Sequence, residues 1–237
     1  MANETKINEN VDFIEFDYFT KIINLTQNVF ANSIVGLVNK VQGLNFRKPK
    51  IRKNSSIESL TSSLATFLEG ESDDYDSIVF ICYSMGGLIA KNFILNHLAE
   101  EYEDIDLPVI GYISLATPHR GSFPALILGP ANVNAKELKP LNKDMTALND
   151  LWVDRFHNLA KSYYVEAQHD ECVGSLSATP NTTKKLKSKT LQVSHSGICK
   201  PSDSKSLTFK IVSKYLLEII NSYIQKKLTE TEYESYV

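Results

Sequence analysis

The sequence predicts an α/β protein in which a mostly parallel sheet is covered by helices on both faces. Two short, almost continuous apolar runs, Ser77–Tyr83 and Pro108–Ala116, are typical of strands buried on both faces of a parallel sheet. Two further strands are predicted at Ser162–Ala167 and Thr190–Val193, and helical or mixed segments separate all four. Such alternation of strands and helices favours parallel pairing, and 237 residues fit a single domain, 1–237.

Three elements are predicted before the first buried strand. Val11–Phe16 alternates apolar and polar residues and predicts a strand, whereas Lys21–Val41 has the apolar spacing of a helix. A second helix begins at Ser55, which forms a capping box with Glu58, and it ends at Gly70.

Three helical regions are predicted in the rest of the chain. One runs from about Met85 to Glu101, directly after the first buried strand. Ser122–Ala160 is mixed in character and predicts several short helices, which would form a lid- or cap-like insertion. The C-terminal helix is predicted at about Ser206–Lys227, with a frayed tail at 229–237.

The composition excludes several classes of protein. The hydrophobic content of 43% and charged content of 22% are ordinary for a soluble globular domain. A net charge of -3 gives no electrostatic reason to expect nucleic acid as a partner. The three cysteines, Cys82, Cys172 and Cys199, include no CxxC pair, which argues against a disulfide framework or a zinc site and favours a reducing compartment. We expect no cofactor and no metal.

The sequence also bears on location. The first ten residues are polar and lack the apolar core of a signal peptide. No uncharged apolar run approaches the length of a membrane span. We therefore expect a cytoplasmic location, with peripheral membrane contact as a further option.

Ser84 stands at the join of the first buried strand and the helix that follows it, in the run ICYSMGGLIAK at Ile81–Lys91. A serine on a sharp strand-to-helix turn exposes its hydroxyl above the sheet, where a base can reach it. The turn needs small neighbours, which explains Gly86, and Gly87 lets the helix approach the adjacent strand. The backbone N–H of Met85, at the start of the helix, is well placed to stabilise an oxyanion.

This run resembles the nucleophile elbow of lipase-like α/β-hydrolases, with Cys82 in place of the usual first glycine. The run Leu115–Ser122 (LATPHRGS) is similar to the Ala-Thr-Pro-His-x-Gly-Ser stretch of the GPI-inositol-deacylase and lipase-like group. The resemblance covers roughly residues 11–225 and implies an α/β-hydrolase fold. It further implies that His119 is structural or lines the site. Tyr83 and Phe123 are predicted to contact substrate with it.

The resemblance also assigns an acid and a base, because α/β-hydrolases place them after the serine in the order acid, then histidine. Asp170 lies in a stretch similar to the family's Asp-x-x-Val-x-x-x-Ser-Ala loop, and His195 in one similar to its His-x-x-Ile-x-Lys-Pro loop. Glu166 and Glu171 remain alternatives to Asp170 as the acid. His119 is a less favoured alternative as the base.

One family feature is missing from the sequence. The second oxyanion donor normally follows a His-Gly pair, and no such pair precedes Ser84. Either the N-terminal strands are missing from a shortened N-terminus, or another segment supplies the donor, for which Asp17–Phe19 is a candidate. Loss of one donor typically costs on the order of 100- to 1000-fold in rate. A shortened sheet would also expose an edge that a partner or self-association would cover.

The function that these patterns favour is hydrolysis of an ester through an acyl-enzyme on Ser84. The apolar run Phe123–Ala131 and the resemblance favour a lipid or other hydrophobic acyl ester as substrate. The basic clusters 47–53 and 184–189 either attract anionic headgroups or are solvated loop charge. The alternative function is a catalytically weak or inactive binding module of the same fold, which the absent His-Gly supports.

Overall fold

A computed structural model describes residues 11–18, 56–71, 75–99, 105, 107–121, 143–155, 160–183 and 185–234 of the chain. Four helices and four strands lie within these ranges. In chain order they are α1 (Ile57–Glu71), β1 (Ile78–Tyr83), α2 (Gly86–His97), β2 (Val109–Leu115), α3 (Lys143–Arg155), β3 (Lys161–His169), β4 (Lys187–Ser194) and α4 (Leu207–Glu234).

The four strands form one parallel sheet in the order β1-β2-β3-β4. Tyr83 at the end of β1 pairs with Leu115 at the end of β2, and Leu115 in turn pairs with Val165 of β3. Because all strands run the same way, the loops that follow β1, β3 and β4 emerge at one edge of the sheet. The predicted α/β class and parallel pairing are confirmed.

Both faces of the sheet are covered, and each cover forms its own apolar cluster. On one face α1, α2 and α3 pack around Phe93, Tyr112 and Trp152. On the other face α4 packs through Tyr215, Leu216 and Ile219 against residues of β2, β3 and β4. Helix α4 approaches β2 so closely that a Cβ on Gly111 would lie 2.5 Å from Ile219 Cδ1. A side chain at residue 111 would therefore push α4 away from the sheet.

The start of α1 differs from the prediction by one residue. The helix begins at Ile57, and the N–H of Ser59 donates to Ser56 Oγ over 3.1 Å. Ser56 is therefore the N-cap, and the predicted capping box of Ser55 with Glu58 is wrong. Two adjacent serines carry the same hydroxyl, so the sequence could not distinguish which one the first turn would use.

The predicted strand at Val11–Phe16 is also wrong, since residues 11–18 have no regular secondary structure. Their alternating apolar residues do not share a buried face: Phe13 is 69% exposed, while Val11 and Phe16 contact the clusters on opposite faces of the sheet. Phe16 packs on Phe67 of α1, with ring centroids 5.5 Å apart. Val11 and Phe16 therefore pack against the two clusters without pairing in the sheet.

The remaining predicted elements divide into those that are observed and those that lie outside the described residues. Helix α2 begins where it was predicted, and α4 continues to Glu234, beyond the predicted end at Lys227 and through most of the predicted frayed tail. Of the mixed region at 122–160, the structure describes α3 and residue 160. The predicted helix at Lys21–Val41 and the apolar run Phe123–Ala131 lie outside the described ranges. The prediction that N-terminal strands are missing is not tested by the described residues. Within those ranges, no helix combines the length and apolarity that a membrane crossing requires.

Candidate active site

Ser84 occupies a sharp turn between β1 and α2. Its φ of 52° lies in the left-handed region, which costs an L-residue roughly 1–2 kcal/mol. The turn is held by its N–H, which donates to Leu115 O over 2.9 Å, and by the N–H of Gly87, which donates to Ser84 O over 3.1 Å. A strained serine at the carboxyl edge of a parallel sheet is the arrangement that the elbow motif predicted.

The two glycines after Ser84 are required by close contacts. A Cβ on Gly87 would lie 2.1 Å from Thr117 Oγ1, so only a hydrogen at this position lets α2 pass the loop after β2. A Cβ on Gly86 would lie 3.0 Å from the hydroxyl oxygen of Tyr18. The 11–18 segment therefore reaches the elbow through Tyr18.

His195 follows β4 and lies between Ser84 and Asp170. Its Nδ1 is 2.8 Å from Asp170 Oδ2, and its Nε2 is 3.0 Å from Ser84 Oγ. An ionised carboxylate only accepts hydrogen bonds, so Nδ1 carries the proton and Nε2 is left to accept the serine proton. The structure thus brings the three predicted residues into one hydrogen-bonded chain in the order that general-base activation of a serine needs.

The carboxylate of Asp170 is fixed by its own loop. Oδ1 accepts the N–H groups of Cys172 at 2.8 Å and Val173 at 2.7 Å, which leaves Oδ2 for His195. Only 3% of the Asp170 side chain is exposed. Of the two alternative acids, Glu171 is exposed and Glu166 lies on β3, and neither has a hydrogen bond to His195 within the described residues.

The loop that carries Asp170 is tied to the loop after β2. The N–H of His119 donates to Ser177 O over 2.8 Å, and the N–H of Arg120 donates to Ser177 Oγ over 3.1 Å. Directly after β2, the N–H of Ala116, whose φ is 48°, donates to Val165 O of β3 over 2.9 Å. These contacts join the two sequence motifs that the resemblance singled out.

The N–H of Met85, predicted to be an oxyanion donor, lies beside Ser84 at the start of α2. Met85 is the N-cap residue of α2, with φ -60° and ψ -25°, so its N–H lies at the positive end of the helix. No described backbone carbonyl accepts this N–H. The segment Asp17–Phe19, the candidate for the second donor, is described only as far as Tyr18. Burial raises the pKa of the Tyr18 hydroxyl.

His119 does not lie where substrate could touch it. Its exposure is 0%, its Nε2 is 3.2 Å from Ser114 Oγ, and its ring lies edge-on to Tyr164 with centroids 5.3 Å apart. Burial holds its pKa well below the usual value, and the positive charges of Lys91 and Arg120 lower it further. The expectation that His119 contacts substrate is therefore corrected: it is a buried core residue. Among the described residues, the imidazole within hydrogen-bond distance of Ser84 Oγ is that of His195 and not that of His119.

Of the other two residues predicted to contact substrate, the structure describes Tyr83 but not Phe123. Tyr83 is half-buried beside the base, with its ring centroid 5.1 Å from that of His195.

Lys91 is a feature that the sequence reading missed. Its exposure is 0%, its Nζ lies 5.2 Å from the centroid of the Trp152 ring, and no described residue hydrogen-bonds to that atom. Burial lowers its pKa to about 7, against a partly opposing effect of Asp150. The signal available in the sequence was its position among apolar residues of α2, with Gly87 one turn earlier on the same face.

One group of side chains around the base could hold a metal. A carboxylate oxygen of Asp170, Nδ1 or Nε2 of His195 and Sγ of Cys172 all lie within 4.8 Å of one another. The cysteine spacing in the sequence had argued against such a site. It could not show this group, because Cys172 and His195 are distant in the chain and come close only in the folded structure.

The parallel sheet and the serine turn between β1 and α2 are features of the α/β-hydrolase fold, and comparison with solved structures agrees. Phospholipase PlaB from Legionella pneumophila superposes with a TM-score of 0.58 at 16% identity, over 84% of this chain and 60% of that one. Monoacylglycerol lipase from Paleococcus ferrophilus matches with a TM-score of 0.42 at 12% identity, over 79% of this chain and 90% of that one. The chain has the α/β-hydrolase fold, as predicted, and spans 60% of the length of the phospholipase.

The comparison of sequences adds a narrower resemblance. Residues 51–134 match the family described as "Putative serine esterase (DUF676)", and this stretch contains Ser84 and the run Leu115–Ser122. No curated protein sequence matches the chain significantly. The predicted likeness to lipase-like members of the fold is confirmed.

Proposed function

We propose that this protein is a serine hydrolase that cleaves an ester through an acyl-enzyme on Ser84. The observation that carries the proposal is the hydrogen-bonded chain from Ser84 Oγ through His195 to Asp170 Oδ2, with distances of 3.0 and 2.8 Å. Both are hydrogen-bond distances: the first lets His195 Nε2 accept the serine proton, and the second lets Asp170 orient the imidazole.

In the first half-reaction Ser84 Oγ attacks the ester carbonyl while His195 Nε2 takes the serine proton. Asp170 stays ionised and stabilises the imidazolium that forms. The N–H of Met85 donates to the oxyanion of the tetrahedral intermediate. His195 then gives its proton to the departing alkoxide, which leaves as an alcohol, and the acyl group remains on Ser84.

In the second half-reaction water attacks the acyl-enzyme with His195 again acting as base. The tetrahedral intermediate collapses, the carboxylic acid leaves, and Ser84 recovers its proton from His195. Transfer to an acceptor other than water would use the same residues.

For the substrate we propose a lipid or another ester with a hydrophobic acyl chain. Support comes from the resemblance to lipase-like sequences and from the phospholipase identity of a structural neighbour. Within this proposal, peripheral contact with a membrane brings the protein to its substrate, and the cytoplasmic face is the expected side. A partner or a second copy on an edge of the sheet is a separate proposal, in line with the unpaired edges that β1 and β4 present within the described sheet.

A second candidate function is a binding module of the same fold with little or no turnover. The absence of a His-Gly pair before Ser84 favours it, because a site with one oxyanion donor loses much of its rate. The two candidates differ in whether Ser84 is activated.

A fluorophosphonate probe separates them, since it labels only an activated serine. We expect labelling of the native chain, none in Ser84→Ala, and at least tenfold slower labelling in His195→Ala. Ser196→Ala is the matched control, because Ser196 is an exposed serine next to His195 in the chain. Failure of the folded native chain to label would reject the hydrolase and leave the binding module. Esters of short and long acyl chains then test the substrate class, and a preference for short chains would count against a lipid.

A further inference from the structure

We propose that Asp170, Cys172 and His195 form an inhibitory site for a thiophilic divalent cation such as Zn²⁺. The site would lie at the base of the proposed active site and switch it off reversibly. The inhibitory part of this inference rests on the proposed function, whereas the binding of the cation does not.

The three ligand atoms are already close to the spacing that zinc requires. They lie within 4.8 Å of one another, and Nδ1 of His195 is 2.8 Å from Oδ2 of Asp170. In a tetrahedral zinc site the usual bond lengths put nitrogen about 3.4 Å from oxygen and about 3.6 Å from sulfur. The nitrogen and oxygen would therefore separate by about 0.6 Å, and the sulfur would approach the nitrogen by no more than about 1.2 Å.

The acid loop presents its ligands in a suitable way. Asp170 Oδ1 is held by the N–H groups of Cys172 and Val173, so the carboxylate keeps its place when Oδ2 exchanges His195 for a cation. The same turn brings the Cys172 thiol beside that carboxylate. One loop thus supplies two ligands, and the loop after β4 supplies the third.

The charge and chemistry of the ligands favour zinc over the hard cations. Asp170 and the Cys172 thiolate together carry two negative charges, which neutralise Zn²⁺ at a site where the Asp170 side chain is only 3% exposed. Sulfur, imidazole nitrogen and carboxylate oxygen are the donors that zinc uses in proteins. Mg²⁺ and Ca²⁺ need mostly oxygen ligands and would not bind here.

Metal binding would remove the base by fixing the wrong tautomer of His195. When Nδ1 gives its lone pair to the cation, the ring proton resides on Nε2, and Nε2–H then donates to Ser84 Oγ instead of accepting from it. The imidazole keeps one proton, the Cys172 thiol releases one to solvent as it becomes a thiolate, and no electron is transferred. Ser84 stays protonated and unreactive until the cation is withdrawn.

Cys199 is a suitable control for Cys172. It is a free cysteine, it is half-buried like Cys172, and it lies in the loop that follows His195. Its thiol donates to Ser196 O over 3.3 Å, and it is not part of the group of three ligands.

Binding is tested on the full chain with Cd²⁺, whose bond to a thiolate absorbs in the ultraviolet. We expect the absorbance to saturate at one cation per chain in the native protein and in Cys199→Ser, and to be missing in Cys172→Ser. Circular dichroism confirms that each variant is folded. An equal signal in Cys172→Ser, or none in the native protein, would overturn the proposed site.

Inhibition is tested with Zn²⁺ and the fluorophosphonate probe, each variant being compared with its own metal-free rate. Zn²⁺ should suppress labelling of the native chain and of Cys199→Ser, a chelator should restore it, and Mg²⁺ should have no effect. In Cys172→Ser the concentration of Zn²⁺ needed for half-inhibition should rise at least tenfold. Cd²⁺ binding without any metal-free labelling would reject the serine hydrolase and keep the metal site, whereas labelling that Zn²⁺ does not suppress would reject the inhibition.

Discussion

Replacement of Lys91 by methionine should abolish a pH dependence of stability that the buried amine imposes. Burial lowers the Lys91 pKa from 10.5 to about 7 in the folded chain, while the unfolded chain keeps the ordinary value. Between these two values the unfolded state binds one more proton than the folded state, so stability rises with pH by about 1.4 kcal/mol per pH unit. The free energy of unfolding that Lys91 contributes therefore decreases as the pH falls from 10.5 to 7, and it changes no further below pH 7.

The size of the effect can be worked out for a practical window. The linkage relation with these two pKa values gives a gain of roughly 2 kcal/mol for the native chain between pH 7 and pH 9. Methionine has a similar length and no charge, so Lys91→Met should lack this gain. The pKa of Cys82 is raised to about 12 by burial and that of His119 lies well below its usual value, and both residues are common to the two proteins. The difference between the proteins therefore isolates Lys91.

Urea unfolding at several pH values, followed by circular dichroism, measures the difference. We expect Lys91→Met to be the more stable protein at pH 7, and its advantage to shrink by roughly 2 kcal/mol at pH 9. A difference that does not vary between the two pH values would refute the assignment of a neutral, desolvated amine. An advantage that grows with pH would refute the sign of the shift.

Two other substitutions test the site and the turn that carries it. Asp170→Asn keeps the shape of the side chain but favours the wrong tautomer of His195, so ester hydrolysis should fall on the order of 10⁴-fold, whereas Glu166→Gln should change the rate by less than about threefold. Equal losses in steady-state assays would reject Asp170 as the acid. Gly87→Ala places a Cβ 2.1 Å from Thr117 Oγ1 and should lower the free energy of unfolding by about 1–3 kcal/mol. Gly70→Ala, with nothing within 4 Å of the added Cβ, should not be destabilised by such a clash, and similar losses for both would contradict the close approach.

The sequence predicted those features that local patterns determine. The continuous apolar runs located β1 and β2, because a strand buried on both faces needs no polar alternation. The position of Ser84 between a strand and a helix predicted the elbow, and its φ of 52° agrees. Family motifs then singled out Asp170 and His195, which the fold brings together. Their catalytic roles stay predictions until activity is measured.

What the sequence did not predict depends on contacts between distant segments. The alternation at Val11–Phe16 resembles a strand, but tertiary packing places its apolar residues against both faces of the sheet. Burial of Lys91 follows from the packing of α3 and its Trp152 against α2, and burial of His119 from its contacts with Tyr112 of β2 and Tyr164 of β3. The closeness of Cys172 to His195 likewise results from two loops that meet at the edge of the sheet.

The hydrogen bonds that end the strands have a consequence for how such a protein can change. The N–H of Ser84 donates to Leu115 O at the end of β2. The N–H of Ala116, the residue after Leu115, donates to Val165 O of β3, the strand that leads to Asp170. These bonds involve only main-chain atoms, which substitution of a side chain does not remove. The loops beyond the strand ends can therefore accept replacements and insertions, while Ser84 and the strand that leads to Asp170 keep their spacing.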